Sequence, residues 1–163
     1  MEDWIEQCRI WCKQAKFLAE EIEWHPRDNR VRCHRGSSAL LDASRTSIPG
    51  LTFEGEAERR GFGLYQKYAV MHRQGTQVHR VLMLEVYPHF KRSHVDLEKE
   101  IYGPHIHIGD ERKPGQSHAV RQVLCNLDPS LLAGWIERFR RHATIRDIPG
   151  RSLAQPFIDD LFA

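Results

Sequence analysis

No apolar run in this 163-residue chain comes near the roughly 18–20 residues that a membrane-crossing helix needs. An excess of one charge is also missing: 24 basic and 22 acidic side chains leave a formal net charge of +2. That balance is not the footprint of a dedicated DNA-binding domain, and no DNA-binding motif is present. Cysteine is scarce. Of four, Cys8 and Cys12 stand one helical turn apart, and Cys33 and Cys125 have no near neighbour. This argues against a disulfide framework and sets a cytoplasmic location as the expectation. The acidic opening "MEDWIEQCRIWCKQ" lacks the separate apolar core of a secretory leader. Repeats and low-complexity tracts are absent. So is G-x-S-x-G, and "GEAERRGFG" lacks the G-x-G-x-x-G spacing of a dinucleotide loop.

What is present reads as one soluble domain, with 40% apolar and 28% charged residues. Trp4, Cys8, Trp11, Ala15, Leu18 and Ile22 recur at spacings of three and four, which predicts a helix over 1–25, stopped by Pro26. On that helix Cys8 and Cys12 fall on the apolar face and read as structural thiols. Residues 30–64 are turn-rich and charged, and read as strand edge and loop. "LYQKYAVMH" and "QVHRVLMLEVY" flank "RQGT" and predict a hairpin. In its second arm Val78, Arg80, Leu82, Leu84 and Val86 share one face; His79, Val81, Met83, Glu85 and Tyr87 share the other. A polar connection of about fifteen residues follows, a length that is often functional in compact domains. "HIHI" and "HAVRQVLCNL" predict two more strands. "DPSLLAGWIERFRRHA" predicts a helix with Asp128 as N-cap, Pro129 in its first turn, and Leu132, Trp135, Ile136 and Phe139 as its apolar face. The tail "FIDDLF" is expected to dock as a short helix. The expectation is a single α+β domain over 1–163: an N-terminal helix at 1–25, a β-rich core at 64–127 with about four to six antiparallel strands, and a C-terminal helix and tail at 128–163 packed on one face.

Ten histidines occur, seven of them between positions 72 and 118. The focus is "YGPHIHIGD". In a strand, alternate side chains share a face, so His105 and His107 point one way while Ile106 and Ile108 point to the core. Three readings remain open. The two imidazoles can act as a general acid–base pair, assisted by His89 or His94, with Arg80, Arg112 or Arg121 binding substrate charge; a ribose phosphodiester needs little more. Alternatively His105 and His107 are two ligands of a divalent ion such as zinc, completed by His89, His94, Asp96 or Asp110, although the sequence demands no cofactor. Or they are polar residues on a wet strand face. The cupin pattern H-x-H-x3-E fits through Glu111 but lacks its returning ligand histidine. The histidine-triad pattern fails because Gly109 stands where its third histidine belongs.

The block "HRVLMLEVYPHFKRSHVDLEKEIYGPHIHIGDE" resembles a family of small uncharacterised bacterial proteins encoded on prophages and mobile elements. Their pattern is an apolar strand, a histidine soon after it, a polar loop, "pHlHiy", another strand and a helix. His89 or His94 matches the first histidine, and His105 and His107 match the H-x-H. "PHIHIGDE" is also similar to a stretch of TumE-type toxins of bacterial toxin–antitoxin modules. The likeness covers roughly residues 78–150. It departs at "DLEKE", where the first family often has an Asn-Pro-Asp-Gly turn. What the resemblance implies is a toxin-like, RNA-directed nuclease activity or an antitoxin-like protein partner. The competing expectation is a non-catalytic binding or accessory module, with or without a bound metal, that recognises a protein partner.

Overall fold

The N-terminal helix is shorter than its periodicity predicts. In the computed structural model, which describes residues 3–95, 100–115 and 118–153 apart from the side chains at 31, 94 and 95, α1 spans only Trp4–Lys13. Asp3 caps it by accepting the Ile5 N–H. At its other end Gln14 is extended, and the last carbonyls find donors from elsewhere in the chain. The buried Lys16 reaches back to the carbonyls of Trp11 and Gln14, and Thr144 Oγ1 donates to Cys12 O at 2.7 Å. Leu18 and Ile22 fit the helical spacing and are indeed buried, but from a strand and from the non-helical chain after it. β1 (Phe17–Leu18) pairs Phe17 with Leu41 and Leu18 with Leu40, and β2 (His25–Arg27) follows on the same neighbour. Tertiary pairing has overridden a local helical pattern.

Residues 30–64 are not loop. They contain the whole of β3 (Arg30–Leu41) and of β4 (Ser47–Arg60), at 12 and 14 residues. Alternation was hidden because one face is charged. Leu40, Leu51, Phe53 and Ala57 enter the core. Glu54, Glu56 and Glu58 face the other way, where Arg27, Arg30, Arg35, Arg60 and Lys67 lie within ion-pair distance. Gly36 and Gly55 sit opposite each other where residues 22–24 cross the sheet. A Cβ at Gly55 would stand 2.7 Å from the Trp24 ring, so only glycine admits that crossing.

β5 (Gly63–Gln74) and β6 (Gln77–Val86) form the expected hairpin, with Gly75 at φ 60° in the turn. After β7 (Arg92–Val95) and β8 (Glu100–Tyr102) come β9 (His105–Gly109), β10 (His118–Gln122) and α2 (Leu132–Ala143). The main sheet runs β1-β3-β4-β5-β6-β9-β10 with β2 also on β3, all antiparallel, and β7-β8 is a separate ribbon. The architecture is α+β, but with ten strands among the described residues rather than four to six. The expected long polar connection carries the strands of the β7-β8 ribbon.

Both helices contribute to one core cluster on a single face of the sheet: Cys8 from α1 joins Trp135, Ile136 and Phe139 of α2 over Phe53, Tyr68, Leu84 and Ile106. The apolar face foreseen for α2 is the buried one. Its cap is not: Leu131 occupies the N-cap position, while Asp128 closes a turn onto Ser130 and its carbonyl accepts the Trp135 indole N–H. Among the described residues no helix is long and apolar enough to cross a membrane. The tail stretch "FIDDLF" lies outside the described residues.

One irregularity decides the site. In the β5-β6 ladder Val70 pairs with Leu82 but Met71 pairs with Arg80, leaving Val81 as a bulge. Alternation restarts there. Arg80 therefore does not share a face with Leu82, as strict alternation predicts; it shares one with Met83 and Glu85. His79 turns to the helix side, against the Trp4 ring.

Candidate active site

β9 lies between β6 and β10. Its register places His105 opposite Glu85 and Gln122, His107 opposite Met83 and Val120, and Gly109 opposite His118. The two imidazoles do share a face, and Ile106, 1% exposed, anchors the core face. Their own face is not wet, however. His105 is 0% and His107 2% exposed. The Tyr87 ring stacks over His105 at 6.1 Å and 11°, and the buried Tyr65 closes a second side.

The two imidazoles converge on one carboxylate. Glu85 Oε2 is 3.1 Å from His105 Nε2 and 3.3 Å from His107 Nε2, while Oε1 accepts the Tyr65 hydroxyl at 2.7 Å. Burial pushes the Glu85 carboxyl up, but the hydrogen bonds from His105, His107 and Tyr65 outweigh it and hold the group ionised, well below the usual carboxylate range. Burial, ahead of any charge effect, pushes His107 down to about 4. Tyr65 is driven up by burial and by the Glu85 charge, so it remains a donor.

The outer contacts define the protons. His105 Nδ1 lies 3.2 Å from the Gly103 carbonyl oxygen. A carbonyl only accepts, so Nδ1 carries a proton. Nε2 then meets the Glu85 carboxylate in one of two ways: as a lone pair with a cation between them, or as the second N–H of an imidazolium. His107 Nδ1 lies 3.0 Å from His118 Nε2. A neutral His107 carries one proton: on Nε2 it donates to Glu85 when no ion is present, and on Nδ1, toward His118, it leaves the Nε2 lone pair facing the same point. The two inward spacings to Glu85, 3.1 and 3.3 Å, are close to the roughly 3.3–3.5 Å between ligands at 2.0–2.2 Å in a zinc tetrahedron, and all three atoms lie within 4.8 Å of one another. Each is held from behind, His105 by Gly103, His107 by His118 and Glu85 by Tyr65, which is the outer-shell arrangement that orients metal ligands.

The other candidates are placed elsewhere. Asp110 is buried, but as an anion held by its own neighbours: Arg80 N–H at 2.8 Å, Arg112 N–H at 3.0 Å and Arg112 Nε at 2.9 Å. Those contacts overcome the upward push of burial and keep it ionised. Arg112 is thereby committed to Asp110, and Arg80 to the Gly109 carbonyl and Glu111. Arg121 pairs with Ile106 and so faces away from the histidines. The expected trio of substrate-binding arginines is not assembled. His89 is exposed and its backbone packs on Gly103. His94 lies on β7 with its side chain outside the described ones, and Asp96 is outside the described residues. Cys8 and Cys12 are pushed up by burial to about 12 and about 11, which keeps both as thiols. Cys33, Glu56 and Glu58 also converge, but Arg27, Arg35 and Lys67 surround Glu56 within 3.8 Å and already balance its charge.

Glu85, Tyr65 and His118 are the site residues that motif reading passed over. Glu85 had a signal: it is the one carboxylate inside the apolar run "VLMLEVY" of a central strand. Tyr65 had none. Comparison of the chain with protein families, with curated proteins and with solved structures found no match.

Proposed function

We propose that this protein is a metal-dependent hydrolase whose divalent ion is held by Glu85, His105 and His107. The observation that carries this is the hydrogen bond from His105 Nδ1 to the Gly103 carbonyl, which aims Nε2 at the ionised Glu85 carboxylate 3.1 Å away. Three protein ligands, rather than four, are the pattern of zinc centres that keep a position for water or substrate. Imidazole and carboxylate donors suit zinc and also iron(II) or manganese. An ion there would supply Lewis-acid activation of water or of a substrate oxygen. The chain's own residues do the rest. Tyr65 takes Oε1 and leaves Oε2 for the centre. Burial keeps His107 neutral and ready to ligate. Glu85, 17% exposed, is the member that solvent reaches.

A second reading is favoured by the same 3.1 Å contact. Without an ion, Glu85 orients a charged His105 as acid, with His107 as base, in the toxin-like RNA chemistry that the sequence resemblance implies. The experiment that separates them is metal titration with an activity readout. Purified protein is dialysed against zinc, manganese or iron(II), assayed for bound metal, and tested on a chromogenic phosphodiester with and without chelator. One ion per chain, activity lost with chelator, and loss of both in His107→Gln support the centre. Activity that persists in chelator hands the site to the metal-free pair.

A further inference from the structure

The helix α1 is seated on the sheet through a stack of rings. Trp4 and Trp11, two turns apart, meet edge to face at 5.8 Å. Beneath them lie His72 and His79, which stand opposite each other in the β5-β6 hairpin. The Trp11 ring lies 4.7 Å from His72, and the Trp4 ring lies 6.0 Å from His72 and 5.7 Å from His79. His79 is buried, and His72 is half-buried. The Nε2 atom of His79 lies 3.1 Å from the Gln77 side-chain oxygen, an acceptor that fixes the ring proton there. The Nδ1 atoms of both imidazoles are buried without a hydrogen-bond partner.

A second proton on either ring meets cations. Lys113 Nζ already stands over the Trp4 ring at 4.7 Å, where the ring quadrupole would otherwise favour an imidazolium. Asp110 faces His79, with Oδ2 3.6 Å from Nδ1, but it is committed to the N–H groups of Arg80 and Arg112 and to the Arg112 guanidinium. Lys113 and Arg112 oppose a charge on His79. Lys113 and His79 oppose one on His72, with the Pro49 carbonyl acting the other way. Cys8 and Cys12, in line with Trp4 on α1, stay neutral thiols. Burial first, and the cations second, hold both histidines below the ordinary imidazole value.

We infer that His72 and His79 form an acid-sensitive latch: protonation beneath Trp4 and Trp11 opens α1 from the sheet and uncovers the Cys8 thiol with the backs of β6 and β9. Cys8 packs in one cluster with Leu84 of β6 and Ile106 of β9, so these are what the open helix leaves bare. The latch is independent of the hydrolase reading, because His79 faces the helices while Glu85, His105 and His107 occupy the opposite face of the sheet. An imidazole whose value is depressed in the docked state takes its proton more readily in the open one. Docking is therefore complete above about pH 6.5 and weakens as pH falls below it. Each unit of depression in either ring is about a tenfold change in the opening equilibrium.

The test is labelling of the native thiols in the full chain with dithiodipyridine, which reacts with thiols in acid, between pH 7 and pH 5, each cysteine being followed by peptide mass spectrometry. Cys8 and Cys33 are both 0% exposed. Cys8 reports the opening of α1, whereas Cys33 lies in β3 and reports unfolding of the sheet. Where closing outpaces labelling, the rate reads the population of the open form. The ratio of the Cys8 rate to the Cys33 rate is expected to rise about tenfold from pH 7 to pH 5. The double variant His72→Phe/His79→Phe keeps both rings and cannot titrate, so its ratio is expected to stay flat. His72→Gln, at the half-buried position, is expected to lose part of the rise. A flat ratio in the wild type, a joint rise of Cys8 and Cys33, or a rise undiminished in the variants that fold overturns the latch.

Discussion

Adding zinc to the apoprotein should raise its melting temperature steeply, and the rise should depend on three side chains only. The expected size follows from linkage. A ligand that binds the folded state alone stabilises it by about 4 kcal/mol at a thousand times its dissociation constant. For a chain of 163 residues, each kcal/mol moves the midpoint by about 2–4 °C. The shift is therefore roughly 10 °C. It should need only small side-chain adjustment, since the three inward atoms already lie within 4.8 Å of one another. Glu85→Gln and His107→Gln should each remove most of the shift. His89→Ala should retain it, because His89 is exposed and is not one of the three converging side chains. Differential scanning calorimetry with a zinc series, reversed by chelator, is the measurement. Two results refute the reasoning: no shift in the wild type, or an equal shift in Glu85→Gln, which would assign zinc to surface histidines.

Further outcomes follow from the same geometry. Removing the buried anion in Asp110→Ala strands the Arg80 and Arg112 N–H groups and should cost about 3 kcal/mol in urea unfolding; a loss under 1 kcal/mol contradicts the network. His107 sits at about 4 when folded against about 6.5 when unfolded, so the unfolded chain takes up a proton that the folded one refuses. In metal-free protein that stability is complete above pH 6.5 and is lost as pH falls toward 4, by about 3 kcal/mol. A flat urea midpoint between pH 7 and 5, or the same slope in His107→Gln, would count against it. Gly55→Ala places a methyl 2.7 Å from the Trp24 ring and should destabilise by about 1–3 kcal/mol, with Trp24 fluorescence altered.

Legibility differed by element, for physical reasons. The 77–86 strand and the apolar face of α2 were readable because their periods are local and their turn chemistry is strong. The 1–25 helix was over-read, because Leu18 and Ile22 satisfy helical spacing whichever backbone buries them. The strands at 30–60 were read only as strand edge and loop, because Glu54, Glu56 and Glu58 look like a solvated charge run until Arg27, Arg35 and Lys67 are brought to them from other strands. The bulge at Val81 left no clear mark in sequence, yet it turned Arg80 to the polar face and His79 to the helices. Asp128 looked like a helix cap because Asp caps and Asp turns share one chemistry.

Sequence alone determined that His105 and His107 share a face, since the period of two in a strand is a property of the backbone and needs no partner. It also determined that Ile106 faces inward. Tertiary structure alone decided what the two imidazoles meet. Glu85 stands 20 residues away from His105 and arrives through the β6-β9 register, in which a one-residue slip would put Leu84 or Val86 in its place. That register, together with the rings of Tyr65 and Tyr87, made of a strand face that the sequence leaves open between solvent and cleft a buried carboxylate–histidine cluster.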